Sequence, residues 1–249
     1  MNSELNVSVL FEPAARASLD LAGASAVVID AIRATTTIVA ALAAGCREVV
    51  PLRTDAQVRA EAARRPAGTV VTAGERLGLR IEGLDYNNSP SVMTAENVAG
   101  RTLLLTTTNG TQAILDAMAA PAVLIAALAN RRAVARHLAA LGQRVVFVSA
   151  GTVAAVSCED TIVAGAVIAA MLEKRCQAPF SWHLEDSALV ALAAWRGAEG
   201  RLDELFHQTW GGAYIAGLGL EADLAVCRQV DTMDVVPLAC GNPPVITAG

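Results

Sequence analysis

Six short apolar runs, each bounded by glycine or small polar residues and separated by stretches of helical pattern, constrain this chain more than any other feature. They are Ala26–Asp30, Glu48–Leu52, Thr69–Ala73, Thr102–Thr106, Val123–Leu128 and Arg144–Ser149. Between them, Thr35–Ala44 (ended by Gly45), Thr54–Arg65, Thr111–Ala119 and Arg131–Leu141 carry helical patterns. Short apolar runs alternating with helices of about ten residues predict a mostly parallel or mixed sheet covered on both faces. The expected fold class is α/β, a three-layer α/β/α arrangement. Gly74 to Pro90 reads as a Gly-rich loop.

Beyond Ser157 the pattern changes. Ser157–Asp160 opens a long helix, Asp186–Arg196 reads as another, and shorter helical pieces follow, up to a last strand near Val235–Pro237. There is no internal repeat and no low-complexity linker. The expectation is one domain over residues 1–249, with an α/β core to about 155 and a helical part from about 156 that packs back on it.

Composition narrows the function classes. With 54% hydrophobic and only 17% charged residues, the chain can bury a sizeable core and is not a disordered one. A formal charge of -5 gives no basic face for a nucleic acid. The longest apolar run, Thr161 to Leu172, is shorter than the roughly 20 residues that span a bilayer and follows two acids, so no membrane partner is expected. Lys174 is the only lysine and reads as a solvated helix end, which argues against Schiff-base chemistry. The five cysteines, Cys46, Cys158, Cys176, Cys227 and Cys240, form no C-x-x-C pair. Together with an N-terminus unlike a signal peptide, they suggest reduced thiols and a cytoplasmic protein.

In open α/β sheets the ligand crevice lies at the carboxyl ends of the strands. Those ends carry Asp30 with Arg33, Thr35 and Thr36; then Glu75 with Arg76; then Thr108, Asn109, Gly110 and Thr111; then Gly151 and Thr152, followed by Ser157, Glu159 and Asp160. Threonine and glycine at helix starts leave backbone N–H groups for an anion. Arg33 and Arg76 offer planar forks for phosphate. Asp30, Glu75, Glu159 and Asp160 offer the hard oxygens that suit Mg²⁺. Each hydroxyl alone is also an ordinary helix cap, and Asp30 alone is also a buried acid closing its own turn. Both readings stand on spacing; recurrence at four loops of one edge points to phosphate and metal.

Other phosphate chemistries lack their motifs. There is no G-x-x-x-x-G-K, no cysteine followed six positions later by arginine, and no second acid two positions after Asp30. The three histidines, His137, His183 and His207, lie outside these loops, which disfavours a zinc site. A carboxylate-held Mg²⁺ aided by arginine is what remains.

The same segments resemble the 2-phosphosulfolactate phosphatase family. Asp30-Ala-Ile-Arg-Ala-Thr-Thr-Thr-Ile38 is similar to its D-x-L-R-A-T-(S/T)-T motif, and Gly74-Glu-Arg-Leu-Gly-Leu-Arg-Ile-Glu-Gly83 to its G-E-R-x-G-x-x-I-x-G loop, with Asn88-Ser89-Pro90 following. Thr106–Thr111, Ala150–Thr152, Ser157–Asp160 and Ala164-Gly165 continue the likeness; Glu185–Leu189 and Cys227–Pro237 match weaker motifs. The resemblance runs from about residue 25 to 237. It implies a Mg²⁺-dependent phosphatase that converts 2-phospho-3-sulfolactate, a small anionic phosphorylated acid, to 3-sulfolactate and phosphate, a step of coenzyme M synthesis where that pathway exists. Another small phosphorylated acid, or anion binding without catalysis, are the alternatives.

On this resemblance Asp30, Arg33, Glu75 and Arg76 are the expected catalytic group. Thr35, Thr36, Asn88, Ser89, Thr108, Asn109, Gly110, Thr111, Gly151 and Thr152 are expected around the phosphate. Asp30 with Glu159 or Asp160 is expected to hold Mg²⁺. The attacking group is a metal-activated water or Asp30 itself. One departure stands out: Gly211-Gly212 occupies the place of an expected His-Gly pair. An alanine-rich apolar surface suggests a homodimer.

Overall fold

The structure of the chain, a computed structural model, describes residues 4–153, 155–173 and 180–249. Lys174 and Cys176 lie outside the described residues. The strands are β1 (Glu4–Leu10), β2 (Ala24–Ile29), β3 (Glu48–Pro51), β4 (Val70–Arg76), β5 (Leu79–Arg80), β6 (Thr102–Thr106), β7 (Ala122–Ala126), β8 (Arg144–Ser149), β9 (Ser181–Leu184), β10 (Pro237–Cys240) and β11 (Val245–Ala248). The helices are α1 (Ala34–Ala43), α2 (Asp55–Arg64), α3 (Ala95–Val98), α4 (Gly110–Ala117), α5 (Arg131–Leu141), α6 (Cys158–Met171), α7 (Asp186–Ala198), α8 (Leu202–Gln208), α9 (Trp210–Gly217) and α10 (Glu221–Cys227).

The expected α/β/α layering is what forms, around one mixed sheet ordered β5-β4-β6-β3-β11-β10-β7-β2-β8-β1-β9. β4, β6 and β3 make one parallel block; β7, β2, β8, β1 and β9 make another. The β10–β11 hairpin lies between the blocks, antiparallel to β7 on one side and to β3 on the other. β2 shows why the sheet carries helices on both faces. Its side chains alternate, so Val27 and Ile29 pack with α5, α6 and α7 in one core, while Ala26 and Val28 pack with α1 and α4 in the other.

Local signals place several ends. Thr54 caps α2 through a reciprocal box with Gln57, and Ser157 caps α6 by accepting the Asp160 N–H at 3.1 Å. Gly165 lets α6 and α7 touch, because a Cβ there would run into the Ala191 carbonyl.

Three sequence expectations change. The loop read from Gly74 is strand as far as Arg76 and turns back as β5. Residues beyond 156 are not only helical: they supply β9, β10 and β11. The strand expected at Val235–Pro237 begins at Pro237. β1 also joins the sheet, its Val7 and Val9 alternating into the core.

Candidate active site

The loops that follow β2, β4, β6 and β8 converge on a cavity of about 440 Å³. Asp30, Arg33, Glu75, Thr108, Asn109, Gly151 and Thr152, which the strand-end argument places at this edge, line it together with Asn88, which the resemblance adds. Glu159 lines an adjoining cavity of about 430 Å³, which shares Thr152, Val153, Trp210 and Gly211 with the first.

Three of the four candidate acids act as clamps. Asp160 accepts the Ala31 N–H on Oδ1 at 2.8 Å and the Gly151 N–H on Oδ2 at 3.0 Å, tying the loop after β2 to the loop after β8. Glu75 accepts the Thr108 N–H at 2.7 Å and the Gly78 N–H at 2.8 Å, tying the β4–β5 turn to the loop after β6. Glu159 accepts the Gly212 N–H at 3.1 Å and the Ser157 hydroxyl at 2.9 Å. Asp30 is different. Its Oδ1 accepts the Ala34 N–H at 3.2 Å, and among the described residues no hydrogen bond reaches Oδ2. Gly110 permits this arrangement, since a Cβ there would lie 2.5 Å from Asp30 Oδ2.

Burial raises Asp30 and Asp160, and their neighbours' charges add to it. Burial pushes the Asp30 carboxyl up to about 6, with Glu75 and Glu159 adding to the effect, while the Ala34 N–H and Arg33 oppose it. Asp160 is raised well above the usual carboxylate range, first by burial and then by Asp30. Such crowded buried acids are stabilised by protons or by a cation. Among the described residues no group of three or more His, Cys, Asp or Glu could hold a metal ion. Mg²⁺ does not require such a group: it keeps several waters and is bound by one or two carboxylates plus substrate phosphate. The open oxygen of Asp30 fits that role. Asp160, with both oxygens on backbone N–H groups, fits it less well than the sequence expectation had it.

Several expected phosphate contacts have other occupations. The Thr35 hydroxyl donates to the Asp30 carbonyl at 2.9 Å, and that of Thr36 to the Ala31 carbonyl at 2.8 Å. Thr111 exchanges hydrogen bonds with Thr107, so those N–H groups close their own turn. Ser89 donates to Asp223. These residues shape the loops and do not line the cavity.

The two arginines separate. Glu75 and Arg76 are neighbours on β4 and therefore face opposite ways. Glu75 is buried toward the cavity, whereas Arg76 is exposed and bonds the Glu75 carbonyl at 2.6 Å and the Thr106 hydroxyl at 3.2 Å. Arg76 does not line the cavity, whereas Asp30, Arg33 and Glu75 of the expected catalytic group do. Arg33 does line the cavity, but its fork is engaged by Asp223 at 2.6 Å and by the Gly78 carbonyl at 2.9 Å. It forms no ion pair with Asp30, whose charge it only offsets at longer range.

Asp223 was missed by sequence reasoning. It is 1% exposed, and it also accepts the Ser91 hydroxyl at 2.6 Å. Its signal was available: Asp223, Leu224 and Cys227 share the buried face of α10, and an acid on an apolar face needs a partner. Arg16 was missed too; it bonds the Ala150 carbonyl at 3.3 Å, pairs with Asp116 at 3.4 Å, and senses Asp30 and Asp160. At Gly211, where a histidine was expected, a Cβ would lie 2.6 Å from Glu159 Oε1, so glycine and the present position of Glu159 go together.

The cysteines take no part in these clamps. Desolvation and then Glu159 raise the Cys158 thiol, the opposite of what activates a cysteine nucleophile. Burial pushes Cys227 up to about 12.

Comparison with known proteins agrees with this geometry. The family model for 2-phosphosulpholactate phosphatase matches residues 12–242, a span that contains every loop of the cavity. A probable 2-phosphosulfolactate phosphatase of Symbiobacterium thermophilum is 41% identical over 219 residues, covering 88% of this chain and 92% of that protein. Proteins of the same description from Thermosynechococcus vestitus and Synechococcus sp. (strain CC9605) are 37% and 39% identical, covering 85% and 88% of this chain and 87% and 90% of their own lengths. With motifs, cavity and whole-length similarity coinciding, the chain belongs to the 2-phosphosulpholactate phosphatase family.

Proposed function

We propose that the protein is a phosphoric monoester hydrolase that converts 2-phospho-3-sulfolactate and water to 3-sulfolactate and phosphate. The observation that carries this is the family match over residues 12–242 around a cavity whose floor holds one acid, Asp30, with an uncommitted oxygen. Water adds to phosphorus as the ester P–O bond breaks, and a proton passes to the leaving alkoxide. Asp30, through its uncommitted oxygen, would contribute to holding Mg²⁺, which when bound offsets charge on the phosphoryl oxygens. Glu75 and Asp160 keep the four loops in register through backbone N–H groups. Asn88, Thr108, Asn109 and Thr152 bring polar side chains to the substrate, and Arg33 adds the positive end of a buried pair.

The same reading includes a place in coenzyme M synthesis where a host has that pathway, and cytoplasmic reduced thiols. The four described cysteines are free, which supports the latter. It also includes a homodimer, supported by the exposed Leu189 and Val190 of α7. No helix among the described residues is long and apolar enough to cross a membrane. Phosphate release from synthetic 2-phosphosulfolactate, with Mg²⁺ and after thorough chelation, tests the reaction. Release that requires Mg²⁺ is expected. Full activity in chelated buffer would remove the metal, and no release from any small phosphorylated acid would remove the phosphatase.

A further inference from the structure

The acid floor accounts for only part of the cavity. Leu77, Val153, Trp210, Tyr214 and Ile215 form the rest of its lining. Four of these are conspicuously exposed for their size: Leu77 at 74%, Val153 at 70%, Trp210 at 60% and Tyr214 at 38%. Large apolar surface in a concave, partly polar site is the usual mark of a ligand's apolar part. A volume of about 440 Å³ is also more than a three-carbon acid fills.

This wall is built, not incidental. The Trp210 and Tyr214 rings stack at 5.1 Å with 9° between their planes. The Tyr214 hydroxyl donates to the Leu77 carbonyl at 3.0 Å. Gly78, next in the chain, lets the wall close on the turn that Glu75 holds, because a Cβ there would lie 2.7 Å from Leu218 Cδ1. The wall and the acid floor are therefore joined through residues 75–78.

Charge points the same way. Among the described residues, Arg33 is the one guanidinium that lines the cavity, and Asp223 already neutralises it. Arg76 is directed elsewhere, and Arg16 does not line the cavity. One phosphate can be met by the floor and a cation held there. The wall residues carry no charge of their own, so what they offer a ligand is apolar contact.

We infer that the cavity takes phosphate monoesters whose organic part carries an uncharged apolar ring or chain, seated against Trp210, Tyr214, Leu77 and Val153, in addition to the small phosphorylated acid. The inference rests on the phosphatase reading above and extends its substrate class. What covers the wall is set by its position: it shares one cavity with the phosphate end, so the covering group is attached to the phosphate itself.

Benzyl phosphate and ethyl phosphate carry the same charge and differ by a ring, which isolates the wall. With Mg²⁺ present, the purified protein should show a KM for benzyl phosphate at least tenfold below that for ethyl phosphate. Trp210→Ala should reduce the benzyl-to-ethyl ratio of kcat/KM about tenfold; Leu77→Ser, at an exposed position, should move it the same way and serves if Trp210→Ala does not fold. Equal KM values for the two esters, or a ratio unmoved by the variants, would overturn the inference. Hydrolysis of 2-phosphosulfolactate with no hydrolysis of benzyl phosphate overturns it and leaves the phosphatase reading standing. If none of the esters is hydrolysed, that reading falls, and titration calorimetry with benzylphosphonate and ethylphosphonate still decides: equal affinities overturn the apolar site.

Discussion

The floor and the wall of the cavity are built on opposite principles. The floor comes from loops after β2, β4, β6 and β8; its acids are buried and most of their oxygens are held by backbone N–H groups. The wall comes mainly from α9 and the exposed residues Leu77 and Val153. Strand ends joined by charged clamps give fixed oxygen positions, which phosphoryl transfer needs because its catalysis is mostly positioning and electrostatics. An exposed apolar wall gives little positional control over reacting atoms but much control over what else can bind. The difference separates the residues that govern turnover from those that govern selection.

The sharpest test of that separation is Asp30→Asn. It keeps the shape of the floor and removes the charge with the uncommitted oxygen. Turnover should fall about a hundredfold or more, on the scale of losing a preorganised transition-state contact. Steady-state kinetics beside thermal melts check this; near-normal turnover would break the assignment of chemistry to the floor.

A step smaller is Asp223→Ala, which acts behind the floor through Arg33. Removing one partner of a buried pair typically costs about 3–5 kcal/mol because the other charge is left unpaired. We expect a lowered denaturant midpoint and a KM raised about tenfold with a smaller change in kcat. Asp223→Asn should recover most of the stability and less of the KM. A KM that stays at the wild-type value in both variants would make Asp223 a structural residue only.

The raised acids also predict a pH dependence of the metal-free chain. Burial moves Asp30 from 3.8 in the unfolded state to about 6 in the folded one, and Asp160 moves in the same direction. The folded chain then binds more protons than the unfolded chain across that window, so stability is higher at its acid end and falls as pH rises through it. For Asp30 alone the fall is on the order of 2–3 kcal/mol. Urea titrations in chelated buffer should show it, Asp30→Asn should flatten it, and Mg²⁺ should offset it above pH 6. A rise in stability over this range would contradict the upward shift that burial gives these acids.

The smallest expected effect is that of Arg76→Ala. Its hydrogen bonds lie on the far side of β4, so kcat/KM for the phosphorylated acid should change less than about twofold, as surface substitutions usually do. A large loss would return Arg76 to the floor and overturn the division of the two arginines.

Much of the floor was legible before any coordinates. Asp30, Glu75, Thr108 and Gly151 follow apolar runs, Asn88 comes from the family resemblance, and all five line the cavity. Thr35, Thr36 and Thr111 sit in the right loops but serve them internally, because a short hydroxyl bonds the nearest backbone group before it reaches a ligand. The wall was not legible. Trp210 and Tyr214 fall on one face of a short helix, and nothing in their spacing says whether that face meets the core or a cavity.

The sequence by itself determined the α/β alternation, the helix caps at Thr54 and Ser157, and the strand edge where the acids gather. All of these depend on neighbours a few residues apart: side-chain period, capping hydroxyls, and the rule that crevices open at strand ends. Only the tertiary structure decided that β10 and β11 enter the middle of the sheet, pairing Leu238 with Leu124 and Ile246 with Val49. It alone gave Arg33 to Asp223, 190 residues away in the chain. Such choices are set by which distant groups compete for the same partner, and that competition exists only once the chain has packed.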